Sequence, residues 1–293
     1  MSLARPRGPS EFDDVMQAER AVERQDRLCP SEATACPIGE TELFGVRFSN
    51  ASFEEVCRWA DEKIARRSPA YVFTPNVDHV CRLHRDAEFR EAYAGAGLRV
   101  PDGVPLIWCA RLLGKPLREK LSGSDLVPRL SAYAAEKGYR IFFLGAGEGI
   151  AEEAARKLRE KHPSLQVAGC YSPPMHFECD PEQNQETVER VRASRADMCF
   201  VALASPRQEL WLWHYTTAME VPVVLGIGAG LDFAAGRVPR APLWVQRIGC
   251  EWLWRLMHEP RRLWRRYLVD DSYFLILLLR EIGRRLGKES LRP

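Results

Sequence analysis

The sequence predicts an α/β fold: a mainly parallel sheet with helices on both faces, followed by a C-terminal helical appendage. Three observations predict it. From Thr41 to Ile227, short apolar runs of strand character alternate with amphipathic helical stretches, the order that builds βαβ units. The runs at Ala70–Thr74, Tyr139–Leu144 and Met198–Leu203 are almost continuously apolar, as strands covered on both faces must be. After Gly236 the composition shifts: Arg237–Arg266 holds eight arginines against two glutamates, with four tryptophans.

Bulk composition bounds the rest. With 293 residues and 46 % apolar content, the chain can bury a sizeable core. The net charge of +2 gives the chain as a whole no nucleic-acid character. Nine scattered cysteines form no CxxC pair and show no metal-ligand spacing, so free thiols in a reducing compartment are expected. There is no signal-like apolar run at the N-terminus, and no stretch reaches the roughly 18 residues of a membrane span. The expected location is therefore cytoplasmic. Residues 1–38 are rich in Arg, Glu, Asp, Pro and Ser and read as a disordered tail, with an exposed helix admissible over Glu11–Leu28.

The elements follow in order. Leu43–Phe48 reads as a strand. Ser52–Arg67 reads as a helix, with Ser52 at the N-cap and Glu55 three residues on. Ala70–Thr74 is a buried strand, Asn76–Tyr93 a helix, and Leu98–Pro101 extended. Helices are expected over Gly103–Leu113 and Ser124–Lys137. The strand Tyr139–Leu144 leads through Gly145–Gly149 into a helix over Ile150–His162. The strand Leu165–Tyr171 and helix Pro181–Ser194 come next. The strand Met198–Leu203, the helix Gln208–Thr217 and the strand Val221–Ile227 complete the unit, so the domain reading is 39–236 with an appendage over 237–293.

Five constellations lie where strands end, the places at which open parallel sheets gather ligands. The turn Gly145-Ala146-Gly147-Glu148-Gly149 allows close approach of a diphosphate to a helix N-terminus, but its GxGxG spacing differs from the dinucleotide GxGxxG; a plain tight turn is equally consistent. Thr74 and Asn76 suit sugar hydroxyls or phosphate, and Asn76 or Asp78 equally suits a helix cap. Asp102 leaves an apolar strand and is either a general base toward a hydroxyl or an Asx-turn residue. In Ser205-Pro206-Arg207-Gln208, Ser205 is a candidate cap and Arg207 and Gln208 candidate ligand contacts. Asp232 sits among small residues after the last strand, with a ribose or base N–H or a turn as its readings. No DxD metal handle is present, so a departing nucleotide would rely on cationic side chains or helix dipoles.

In the appendage, Trp244, Ile248, Trp252 and Leu256 recur every four residues and read as one helical face. Arg247, Glu251, Arg255 and Glu259 read as a solvated, salt-bridged row. The arginines at 261, 262, 265 and 266, interleaved with Leu263, Trp264, Tyr267 and Leu268, suit an anionic membrane surface. Tyr273–Leu279 is apolar but too short to span a bilayer.

Taken together, the stretches Thr74–Val80, Pro101–Leu126, Phe143–Gly149, Val201–Glu209 and Gly226–Leu268 resemble the WecG/TagA/CpsF family of bacterial glycosyltransferases, glycosyltransferase family 26. The resemblance implies a Rossmann-like catalytic domain with a membrane-contacting appendage. It implies inverting, metal-independent transfer from a UDP-sugar, of N-acetylmannosamine or glucose type, to an undecaprenyl-diphosphate-linked acceptor in cell-surface polysaccharide synthesis. It implies Asp102 as catalytic base, Thr74, Asn76 and Gln208 in the substrate pocket, and Asp232 near the uracil. Arg237 and Arg240 would then close over the diphosphate. Lys120 stands where relatives usually carry arginine, keeping the charge but losing the bidentate fork. No cofactor is expected. The expected partners are the UDP-sugar, the lipid-linked acceptor and the inner face of the plasma membrane; a homo-oligomer is compatible and nucleic acid is not expected. A nucleotide-dependent oxidoreductase and a non-catalytic scaffold of a polysaccharide assembly complex are the competing readings.

Overall fold

The computed structural model describes residues 38–289. The readings of a disordered tail over 1–38 and of a helix over 11–28 lie outside the described residues, apart from Ile38, which is buried in the core.

The chain opens with an antiparallel hairpin, β1 (Glu40–Leu43) and β2 (Val46–Ser49), where one strand was expected. Phe44 and Gly45 both take positive φ, 54° and 69°, as a two-residue hairpin turn requires. Phe44 is an unusual residue there, and it masked the turn. Helix α1 (Phe53–Ala65) starts at the expected capping box: the Ser52 side chain accepts from Glu55 N, and the Glu55 side chain accepts from Ser52 N. After β3 (Ala70–Phe73) come two helices, α2 (Val77–Leu83) and α3 (Ala87–Ala94), instead of one over 76–93. Asp86 restarts the helix by accepting from Phe89 N at 3.0 Å.

β4 (Leu98–Arg99), α4 (Val104–Leu112) and α5 (Gly123–Lys137) follow. Next are β5 (Arg140–Gly145), α6 (Ile150–Lys161), β6 (Gln166–Tyr171), α7 (Pro181–Ala193) and β7 (Met198–Ala202). Then come α8 (Arg207–Met219), β8 (Val223–Gly226) and α9 (Gly230–Ala234). β3 to β8 form one six-stranded sheet in the order β4-β3-β8-β7-β5-β6, and every neighbouring pair is parallel. Alternate residues feed two cores: Phe73, Phe142, Leu144 and Val201 face one helical layer, Val72, Ile141, Phe143 and Phe200 the other. That double coverage is why these strands read as unbroken apolar runs.

The C-terminal segment is helical: α10 (Leu243–Arg247), α11 (Glu251–His258), α12 (Pro260–Arg265), one π-helical turn (Arg266–Asp270) and α13 (Tyr273–Glu289). The expected continuous face through Trp244 and Trp252 is broken at Gly249, whose φ of 67° turns the chain. A Cβ at Gly249 would lie 3.1 Å from both Trp108 and Val104, so the glycine also permits close packing on α4. α13 docks through Phe274, edge-on to Phe44 at 4.8 Å, and through Glu281, paired with Lys115 at 3.3 Å. Among the described residues, no helix is long and apolar enough to cross a membrane, and the seven described cysteines are all free.

Candidate active site

A cavity of about 650 Å³ opens at the C-terminal ends of β3, β7 and β8 and is roofed by the C-terminal segment. Thr74, Asn76, Asp102, Gln208 and Asp232 of the sequence-derived set line it.

Backbone bonds bring the loops together. Val100 N donates to Phe73 O at 3.0 Å and Asp102 N to Pro75 O at 2.9 Å, which fastens the end of β4 to the end of β3. Gly103 then takes φ 103°, a conformation in which a side chain would be strained. That turn throws the chain into α4 and leaves Asp102 on the cavity wall. The Asp102 carboxylate takes no hydrogen bond or ion pair from any described residue. Burial pushes its pKa up to about 6; Lys120 opposes this, Glu251 and Asp125 reinforce it, and Arg255 opposes it again. Asp102 is thus a carboxylate poised near neutrality, as proton transfer from a hydroxyl needs.

Asn76 caps α2 by accepting from His79 N at 3.2 Å, and its side-chain oxygen also accepts from Arg266 Nη2 at 3.3 Å. It serves as helix cap and as a tie to the roof at once. Gln208 is buried, and its Oε1 accepts from Gly228 N at 2.8 Å and Leu203 N at 3.4 Å, joining the ends of β7 and β8. Its amide donates to Glu209 Oε1 at 2.9 Å.

Lys120 and Arg240 stand just behind the wall. Lys120 pairs with Asp125 at 2.7 Å, and Arg240 pairs with the same carboxylate. Burial of Asp125 is outweighed by Lys120, with help from Ser122 and Arg240, and its pKa falls to about 2. Helix α5 begins beside this cluster and presents Gly123 and Ser124 to the cavity. A helix of 15 residues carries a partial positive charge at that end. Gly123 has to be glycine, because a Cβ would lie 2.5 Å from Ile227 O.

Five expected residues are outside the cavity lining: Lys120 and Arg240, held at Asp125, and Gly145, Gly147 and Arg237. Gly145 takes φ 91°, and a Cβ there would lie 2.6 Å from Ala202 O, so close packing against β7 accounts for it. Arg237 is exposed, just after the end of α9.

The structure adds residues that sequence reasoning missed. Glu251 and Arg255 were read as a solvated row, yet both line the cavity, because the break at Gly249 rotates α11. Ser205 does not cap α8; Pro206 holds that position without a side-chain bond. Arg266 reaches in from the roof to within 3.4 Å of Asp78. Asp271 lies beside Asp78, and burial, with that neighbour, raises its pKa to about 7. Glu209 is 1 % exposed; burial lifts its pKa to about 7 against the pull of Ser205 and Gln208. His79 is held down near 3 by burial and then by Arg266 and Arg82, and its Nδ1 bonds Tyr93 Oη at 2.6 Å. The sequence signal for Glu209 was its place after Gln208, but an acid in a helix's first turn ordinarily reads as dipole compensation. Among the described residues, no three His, Cys, Asp or Glu side chains are grouped to hold a metal ion.

Residues 41–288 match the Glycosyl transferase WecG/TagA/CpsF family. A protein of Bacillus spizizenii is 31 % identical over 212 residues, covering 72 % of this chain and 80 % of the relative. A Bacillus subtilis protein is 29 % identical, covering 78 % and 84 % of the two chains, and one of Staphylococcus aureus is 24 % identical, covering 77 % and 87 %. All three are named N-acetylglucosaminyldiphosphoundecaprenol N-acetyl-beta-D-mannosaminyltransferase. With most of its length matched and the cavity at the sheet's C-terminal edge, the chain belongs to the WecG/TagA/CpsF family and is a glycosyltransferase.

Proposed function

We propose that the chain transfers N-acetylmannosamine from its UDP-linked donor to the N-acetylglucosamine of a diphosphoundecaprenol carrier, with inversion and without a metal ion. The observation that carries the reading is Asp102: a carboxylate with no hydrogen-bond or ion-pair partner among the described residues, on the wall of a cavity edged by cationic groups. In the proposed step, Asp102 takes the proton of an acceptor hydroxyl as that oxygen bonds the anomeric carbon. The bond from that carbon to the β-phosphate oxygen breaks on the opposite face, and UDP leaves with the electron pair. Arg255 and Arg266 line the cavity and offset the charge that develops, with Lys120, Arg240 and the N-terminus of α5 beside them. Gly145, Gly147 and Arg237 have no part in this scheme. The names of the relatives support the sugar and the acceptor.

The C-terminal segment also offers a lipid-facing surface. Trp244, Ile248, Met257, Trp264 and Leu268 are each about half exposed or more, and Arg247, Arg261 and Arg265 are exposed among them. Half-buried aromatics interleaved with arginine suit an anionic interface, and a peripheral position there would bring the cavity to a lipid-linked substrate.

Asp102→Asn tests the chemistry. UDP affinity is expected to stay within twofold, while turnover falls by about 10²–10⁴. An Asp102→Asn protein with undiminished turnover would remove the base from the mechanism.

A further inference from the structure

The floor of the cavity carries polar groups that the transfer step does not use. Glu209 is 1 % exposed yet lines the cavity. One of its oxygens, Oε1, is fixed by the Gln208 amide at 2.9 Å. The other, Oε2, is buried and takes no well-formed hydrogen bond among the described residues; Ser205 Oγ, buried and likewise unsatisfied, is the hydroxyl that acts on this carboxylate. His79 Nε2 lies 4.0 Å from Oε1 and also faces the cavity. A buried carboxylate oxygen left without a donor is costly, and a group of this kind facing a cavity calls for a partner that enters it.

The chemistry of the floor selects the ligand. A carboxylate with a hydroxyl beside it repels phosphate and needs an O–H or N–H donor. Arg82 acts on Glu209 only weakly, after burial, Ser205 and Gln208, while Arg266 is tied to Asn76 and Asp78 and Lys120 to Asp125. Asp102 senses Glu251 and Arg255 of α11, the helix that carries the exposed Trp252 and Met257, and a lipid-linked acceptor would enter beside them. The floor on β7 and α8 is left for the donor's sugar.

Resting on the function proposed above, we infer that Ser205 and Glu209 form a subsite for the transferred sugar, with Glu209 Oε2 accepting from a sugar hydroxyl or acetamido N–H. Glu209 thereby sets which nucleotide-linked sugar fits, while the diphosphate and uridine are held by other groups.

Glu209→Gln is the discriminating variant. It keeps the volume and the Oε1 acceptor for Gln208, and it turns Oε2 into a donor. Calorimetry with UDP and with UDP-N-acetylmannosamine reads the effect directly, independent of turnover. The expected result is UDP affinity within twofold of wild type and UDP-N-acetylmannosamine affinity lower by about tenfold or more. Both affinities unchanged, or both falling equally, would overturn the inference. So would a change confined to the KM of the lipid-linked acceptor. Should Glu209→Gln fail to fold, Ser205→Ala carries the same test with the same outcomes. Wild-type UDP release, measured in parallel with acceptor present, reports on the transferase reading separately: its absence would count against that reading, while the binding comparison still decides the subsite.

Discussion

Asp102 is tuned by neighbours of opposite sign, which allows its role to be tested in both directions. Its pKa of about 6 arises first from burial; Lys120 and Arg255 draw it down, and Glu251 and Asp125 push it up. If Asp102 must be ionised to act, about nine-tenths of the enzyme is competent at pH 7 and about one-tenth at pH 5, so kcat/KM falls about tenfold between them. Lys120→Met removes the largest opposing charge, and the midpoint of the acid limb should rise by about one pH unit. Activity at pH 7 then falls to about half of its plateau. Glu251→Gln removes a like charge, and the midpoint should drop by a smaller amount, on the order of half a unit, so that activity at pH 5 gains on wild type. The assay is UDP release at low donor concentration across pH 5 to 9, with acceptor saturating. Midpoints that move in the same direction, or an acid limb that neither substitution moves, would refute the assignment of that limb to Asp102.

Three further outcomes are expected. Gln208→Ala leaves Gly228 N and Leu203 N without their side-chain acceptor and should cost about 2 kcal/mol in urea unfolding; an unchanged midpoint would show that Gln208 does not join these strand ends. Gly145→Ala places a Cβ 2.6 Å from Ala202 O at φ 91°, so it should lower the melting temperature by several degrees and leave UDP affinity of the folded protein intact. Loss of UDP affinity at full stability would return that turn to the binding site. Replacing Trp244 and Trp264, 65 % and 52 % exposed, by serine should weaken binding to anionic vesicles by about tenfold or more, and undiminished vesicle binding would take these residues out of the membrane contact.

Much of the scaffold was legible because the physics is local. Ser52 and Glu55 spelled a capping box, and the buried parallel strands announced themselves as apolar runs such as Phe142–Leu144. The misses are also local in origin. Phe44 in a positive-φ turn hid a hairpin, and Asp86 broke a helix whose apolar period runs on through the break. Strand-end logic nominated Thr74, Asn76, Asp102, Gln208 and Asp232, which line the cavity because each follows a strand of the parallel sheet. It named Gly145 and Gly147 by the same rule, but the turn after β5 is outside the cavity lining. What no local pattern encodes is which side of a distant helix faces inward. Glu251 and Arg255 alternate in charge as a solvated row would, and only the turn at Gly249 sends them to the site. Arg266 was one of a run of arginines until the π-helical turn set it against Asn76 and Asp78.

The central claim is transfer from a UDP-sugar to a lipid-linked sugar with Asp102 as base. Its most direct test is UDP release from UDP-N-acetylmannosamine in EDTA, with and without a short-chain lipid-diphosphate-N-acetylglucosamine acceptor, for wild type and Asp102→Asn. The account predicts release that depends on the acceptor, persists in EDTA and is lost in Asp102→Asn. Release that is indifferent to the acceptor, or that Asp102→Asn retains in full, would contradict it.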